Sequence, residues 1–192
     1  PSRVPYAVTS LKRSPVAVCT VIGFPLGATD SATKAFEAIE AVKRGATEID
    51  MVVNNGFLHE QNRDGFYNDI ATVARAVYQA GGTILKCIME AGYLTPEQLQ
   101  QATSVVMEAA QEFPRVHFFT KTSTGMALDK LLVDKYGSKV SGARAEDLQE
   151  IARVHASQPE LSLGIKASGG IRTFEDSLRA LNAMGAKTKE DL

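Results

Sequence analysis

Thr83-Ile84-Leu85-Lys86-Cys87-Ile88-Met89, followed by Thr95-Pro96-Glu97-Gln98, decides the fold of this chain. The first stretch is apolar and rich in strand formers apart from a single lysine, and it reads as a buried strand. The second combines a threonine N-cap, a proline in the first turn and a glutamine that completes a capping box. Leu99, Ala102, Val106 and Ala109 then recur at helical spacing. A strand followed by an amphipathic helix is a βα unit.

The same alternation extends in both directions. Residues 16–22 predict a strand, broken by Gly23-Phe24-Pro25-Leu26-Gly27. A helix follows with Ala35, Phe36, Ile39 and Val42 on one face, ended by Gly45. Residues 47–53 predict a second strand. A polar loop then leads to a helix carrying Phe66, Ile70, Val73, Ala74 and Val77, closed by Gly81-Gly82. Residues 116–121 and 161–166 complete a set of five strands. Leu148, Ile151 and Ala152 mark the helix between these two, and Thr173 caps a last helix with Phe174, Leu178 and Leu181. Residues 126–143 read as a long loop with some helix.

Five apolar strands separated by helices predict an α/β fold with a parallel sheet, covered by helices on its outer face. An open doubly wound sheet and a closed TIM (β/α)8 barrel both fit that pattern. No Gly-x-Gly-x-x-Gly follows the first strand, which counts against a dinucleotide-binding sheet. Asp50, Lys86, Glu90, Lys121 and Lys166 all fall at the C-terminal ends of strands, where a barrel builds its site. The expectation is one domain over residues 1–192, an incomplete barrel whose three further strands would lie beyond the two termini.

Composition narrows the function. The 192 residues are 44% hydrophobic with a formal net charge of -1. A near-neutral balance gives no electrostatic footprint for nucleic acid or an anionic membrane. No apolar run reaches the roughly 20 residues that span a bilayer. No signal peptide is visible, and Cys19 and Cys87 read as buried thiols of a reducing compartment, so a cytoplasmic protein is expected. The three histidines show no metal-ligand spacing, and no metal is expected.

The chemistry is carried by three lysines, each inside an apolar run: Lys86, Lys121 in Phe118-Phe119-Thr120-Lys121-Thr122, and Lys166 in Leu163-Gly164-Ile165-Lys166-Ala167. Burial and mutual repulsion favour the neutral amine, the form that attacks carbonyls, so the set points to Schiff-base chemistry. The alternative is that the lysines sit at strand ends and reach water. Asp50 enters an apolar strand on the same face as Glu48, and a buried carboxylate there wants a cation. Either a structural ion pair or a proton-shuttling acid–base pair would result. Lys121 lies in Thr120-Lys121-Thr122-Ser123-Thr124-Gly125, a polar turn able to orient a carbonyl substrate. Lys166 precedes Ser168-Gly169-Gly170-Ile171-Arg172-Thr173, where backbone donors at a helix start and an arginine suit phosphate.

Together, Gly23-Phe24-Pro25-Leu26-Gly27, Gly45-Ala46-Thr47-Glu48-Ile49-Asp50, Leu85-Lys86-Cys87-Ile88-Met89-Glu90-Ala91-Gly92, Lys121-Thr122-Ser123-Thr124-Gly125 and Lys166-Ala167-Ser168-Gly169-Gly170-Ile171-Arg172 resemble the deoxyribose-phosphate aldolases. These are class I aldolases of the barrel fold. The resemblance implies Lys121 as the Schiff-base nucleophile, Lys166 and Asp50 as the proton relay, and Lys86 as a supporting active-site lysine. It implies Thr122, Thr124, Gly125, Gly169, Gly170 and Arg172 as the substrate- and phosphate-binding residues. The implied substrate is 2-deoxy-D-ribose 5-phosphate, cleaved reversibly to glyceraldehyde 3-phosphate and acetaldehyde with no cofactor. A homo-oligomer, dimer or tetramer, is also implied. Met126 stands where the family often has a lysine. The five strands would be the third to seventh of eight. Two rivals follow from these departures and from the fold: a catalytically impaired homologue acting through association, and another phosphosugar barrel enzyme.

Overall fold

The computed structural model describes residues 1–126 and 142–186. Most of the expected loop at 126–143 therefore lies outside the described residues. Five parallel strands pair in chain order: β1 (Cys19–Ile22), β2 (Glu48–Val52), β3 (Ile84–Ile88), β4 (His117–Lys121) and β5 (Gly164–Lys166). A doubly wound sheet reverses its order at a switch point, whereas successive neighbours in sequence form the wall of a barrel. The five strands are an arc of such a wall.

Helices α1 (Val4–Ser10), α2 (Ser31–Lys43), α3 (Asn55–His59), α4 (Arg63–Ala80), α5 (Pro96–Glu112), α6 (Ala145–His155) and α7 (Phe174–Ala183) complete the described elements, with a short 3-10 turn at Ala91–Tyr93. Thr95 and Gln98 form the expected capping box on α5, and Thr173 forms another with Asp176 on α7. The predicted faces of α4 and α5 are buried. Ile49, Met51, Leu85, Cys87 and Phe118 point from the strands into this helix layer and make the main core. Alternation then sends Asp50, Lys86 and Lys121 to the opposite, inner face.

Several expectations need correction. β1 starts at Cys19 rather than Val16, and β5 at Gly164 rather than Leu161, because each is an edge strand with a neighbour on one side only. The face of α2 is rotated: Lys34, Ala38 and Ala41 are buried, while Phe36 is 65% exposed. The cause is Lys34, which is fully buried in an ion pair with Asp69 at 2.7 Å. Asp69 also accepts from Ser31 Oγ and the Asn54 amide, so one carboxylate ties α2 and the end of β2 to α4. The polar segment after β2 contains the helix α3, and α1 precedes β1 where no element was expected. On α7, Phe174 and Leu178 are exposed and only Ala180 is buried.

Candidate active site

Register places the site residues. Asp50 pairs with Lys86 and Lys86 with Phe119; one pleat further on, Ile88 pairs with Lys121 and Lys121 with Lys166. Two layers of inward side chains result, with Asp50 and Lys86 in the lower and the other two lysines in the upper. Gly164, next to Phe119 in the sheet, has no room for a side chain: a Cβ there would lie 2.1 Å from the Phe119 ring. That ring leans over β5 two residues before Lys166.

Asp50 joins the layers. Its Oδ1 accepts from Lys86 Nζ at 2.8 Å, and its Oδ2 from Lys121 Nζ at 2.8 Å and Lys166 Nζ at 3.1 Å. Lys86 also donates to Glu48 Oε2 at 2.6 Å. Three ammonium groups thus meet two carboxylates, leaving one positive charge uncompensated when all are ionised. The Lys121 side chain is 9% exposed, while that of Lys166 is 39% exposed and reaches solvent.

The electrostatics follow from these contacts. Burial alone would raise the Asp50 carboxyl, but hydrogen bonds from Lys121 and Lys86 outweigh it and hold the group well below the usual carboxylate range. Burial alone would lower Lys86, yet its bonds to Asp50 and Glu48 win and hold it above the ordinary lysine range. This corrects the expectation of three lysines all pushed towards the neutral amine. Lys86 is the fixed cation of the cluster and is not free to act as a nucleophile.

The loops beyond β4 and β5 are laced together. Thr122 Oγ1 donates to the Ser168 carbonyl and accepts from the Ser168 amide, at 3.1 and 3.0 Å. Ser123 donates from its hydroxyl to the same carbonyl, and Ser168 Oγ returns a bond to the Ser123 carbonyl. Gly169, at φ 83°, passes so close that a Cβ would lie 2.6 Å from Ser123 Oγ. The Thr122 hydroxyl, expected at the substrate, is thus committed to bracing the two loops. Thr124 likewise gives its amide (3.1 Å) and its hydroxyl to Glu90 Oε2.

Gly125, Gly169 and Gly170 do come together, all with left-handed backbone; a Cβ at Gly125 would be 3.8 Å from Gly169 Cα. Their amides donate to no acceptor among the described residues. A cavity of about 220 Å³ is lined by Gly169 and Gly170 together with Ile171, Asp176 and Arg179; Gly125 is not part of its lining. The start of α7 is less open than expected, because Asp176 Oδ2 accepts from the amides of Arg172 and Thr173, both at 3.0 Å. The Arg172 residue itself is exposed.

Cys19 was expected to be a buried thiol; it is instead an exposed residue of the edge strand β1. Its Sγ lies 3.1 Å from Asp50 Oδ1 and 3.3 Å from Lys86 Nζ, and burial of the sulfur followed by the Asp50 charge raises the thiol. Its contacts arise from register across β1, β2 and β3, which leaves no local sequence signal. Cys87 is buried as expected. Among the described residues no group of His, Cys, Asp or Glu converges as a metal site, and no helix is long and apolar enough to cross a membrane.

Known proteins match this chain in sequence and in fold. The family model described as DeoC/LacD family aldolase matches residues 5–188. The chain is 41% identical over 183 residues to the deoxyribose-phosphate aldolase of Thermosynechococcus vestitus, covering 95% of this chain and 72% of that protein. It is also 41% identical to the deoxyribose-phosphate aldolase of Clostridium kluyveri, covering 95% and 73%. Among solved structures, a candidate deoxyribose-phosphate aldolase from Coccidioides immitis superposes with a TM-score of 0.81 at 32% identity, covering 95% of this chain and 63% of that one. The tetrameric deoxyribose phosphate aldolase of Aeropyrum pernix gives 0.73 at 25% identity, covering 95% and 67%. The chain thus spans about 72% of the curated relatives' length and 63% of the Coccidioides chain. Matched along nearly its whole length, in sequence and in the arrangement of its barrel wall, this chain belongs to the DeoC/LacD family of aldolases.

Proposed function

We propose that the chain cleaves 2-deoxy-D-ribose 5-phosphate reversibly to glyceraldehyde 3-phosphate and acetaldehyde through a Schiff base on Lys121. The observation that carries the reading is the sharing of Asp50 Oδ2 by Lys121 and Lys166. One carboxylate oxygen touching both amines is a route for a proton between them. Withdrawing one proton from the lysines also balances the cluster, with two cations left against two carboxylates.

In the reaction, neutral Lys121 attacks the C1 aldehyde carbon to give a carbinolamine. Lys166 donates the proton with which that hydroxyl leaves as water, and an iminium remains. The iminium draws electrons from the C2–C3 bond as the C3 hydroxyl proton passes to the Lys166–Asp50 pair. Glyceraldehyde 3-phosphate departs and an enamine stays on Lys121. Protonation of the enamine at C2 and hydrolysis of the new iminium release acetaldehyde and restore the lysine. Lys86 fixes Asp50 throughout. Gly125, Gly169 and Gly170 offer amides to the phosphate, with Arg172 at the rim, while Thr122 and Thr124 brace the turns that present them. The scheme needs neither metal nor organic cofactor.

A homo-oligomer in the cytoplasm belongs to the same proposal. It is supported by the exposed Phe36 and Phe174 and by the tetramer named for the Aeropyrum pernix enzyme. Borohydride reduction in the presence of acetaldehyde, with peptide mass spectrometry, is the test. Reductive ethylation at Lys121 is expected, and an unmodified Lys121 in folded protein removes the proposal.

A further inference from the structure

Glu90, just beyond β3, is 5% exposed and sits at φ 47°, ψ 56°, a left-handed backbone that residues other than glycine rarely adopt. Its Oε2 accepts from Thr124 twice, from the amide at 3.1 Å and from the hydroxyl. Its Oε1 is buried and has no partner among the described residues. Left-handed backbone and an unpartnered buried acceptor are both unfavourable, and such features persist where the surroundings over-determine them.

Here the surroundings are the strand that carries Lys121. The Met89 amide donates to the Lys121 carbonyl at 2.9 Å, and the Ala91 amide to the Thr122 carbonyl at 2.8 Å. The backbone is therefore pinned on both sides of Glu90, and the residue between the pins sends its side chain across to Thr124. The Thr124 hydroxyl in turn accepts from the Met126 amide at 3.0 Å. One side chain thus holds the turn in which Gly125 lies, and Gly125 packs against Gly169.

We propose that Glu90 is a positioning residue that fixes Thr124, and through it the Gly125–Gly169 cradle, relative to Lys121. It governs recognition of the phosphosugar and leaves imine formation with a small aldehyde to Lys121. The proposal rests on the aldolase reading above.

The test compares Glu90→Ala, Glu90→Gln, Thr124→Val and the double variant Glu90→Ala/Thr124→Val in the full chain, with fold checked by circular dichroism. Two rates are read: cleavage of 2-deoxyribose 5-phosphate, and borohydride trapping of Lys121 with acetaldehyde. Glu90→Ala raises KM for the phosphosugar about 10- to 100-fold, while trapping stays within about 3-fold. Glu90→Gln, whose amide oxygen still accepts from Thr124, recovers most of that loss. Thr124→Val raises KM comparably, and adding Glu90→Ala to it costs less than about 3-fold more, as expected of one coupled unit.

A folded Glu90→Ala with KM within about 2-fold of the parent overturns the proposal, as do a glutamine no better than alanine or additive effects of the two sites. If Glu90→Ala does not fold, Thr124→Val with an unchanged KM overturns it alone. If the parent shows no trapping at Lys121, the aldolase reading fails instead. Calorimetric titration with inorganic phosphate then decides the positioning role. Binding weakened about 10-fold or more by Thr124→Val supports it, and equal binding overturns it.

Discussion

Lys121 and Asp50 lie 71 positions apart in the sequence and 2.8 Å apart in the folded chain. Two βα units close that distance, and the ion pair forms only when β2, β3 and β4 are in register. Its consequences for activity and stability are separable by mutation.

Asp50→Asn keeps the shape of the side chain and removes the charge that Lys121 and Lys166 share. The expected result is a fall in kcat of about 10²- to 10⁴-fold, the usual worth of positioned acid–base groups. Unfolding in urea should also show a loss of about 3–5 kcal/mol, since three buried or half-buried cations lose their common partner.

Lys86→Met tests the fixed cation. Asp50 has its folded pKa depressed, so its contribution to stability is complete above the unfolded value of about 3.9 and is lost as pH falls through the folded one. Without Lys86 the folded value rises towards the unfolded one and the contribution shrinks. The acid-unfolding midpoint, followed by circular dichroism, should therefore move to higher pH. Borohydride trapping at Lys121 should survive the substitution, because Lys86 is not the nucleophile.

His155 makes a different pH prediction. Burial lowers its pKa to about 4, and its Nε2 lies 3.0 Å from the Thr120 hydroxyl, behind β4. The unfolded chain binds this proton first, near pH 6.5. Stability is therefore full above about pH 6.5, falls as pH drops to about 4, and gains no further loss from this group below that. Urea midpoints measured across that window should decline in the parent and decline less in His155→Gln.

Gly164→Ala should cost about 1–3 kcal/mol, because its Cβ would overlap the Phe119 ring. β5 carries Lys166 two residues on, so kcat should fall as well. Phe119→Leu in the same chain returns the space. Recovery of both stability and kcat in the double variant, measured by urea unfolding and initial rates, is the expected outcome.

The central strands and the buried faces of α4 and α5 were legible in the sequence because each element there has neighbours on both sides. Where neighbours are lacking, patterning overreached, as in the long readings of β1 and β5 and the apolar face assigned to α7. On α2, Lys34 defeated the periodicity, since a buried ion pair replaces an apolar residue with a charged one. In the site, Asp50 and the lysines stood out as charges in apolar runs. The roles of Cys19 and Glu90 did not, because one depends on pairing across three strands and the other on a backbone angle. Nor does spacing reveal that Thr122 and Thr124 hold loops rather than face outward.

The pairing of Asp50 with Lys86 across β2 and β3 also bears on how the chain finds its fold. Side chains alternate faces along a strand, so a slip of one residue would turn the inner charges into the apolar helix layer. Each uncompensated charge there costs several kcal/mol, a large part of a domain's whole stability. The charges proposed to do the chemistry therefore penalise misaligned sheets, and a chain that folds with its strands out of step is rejected by its own reaction centre.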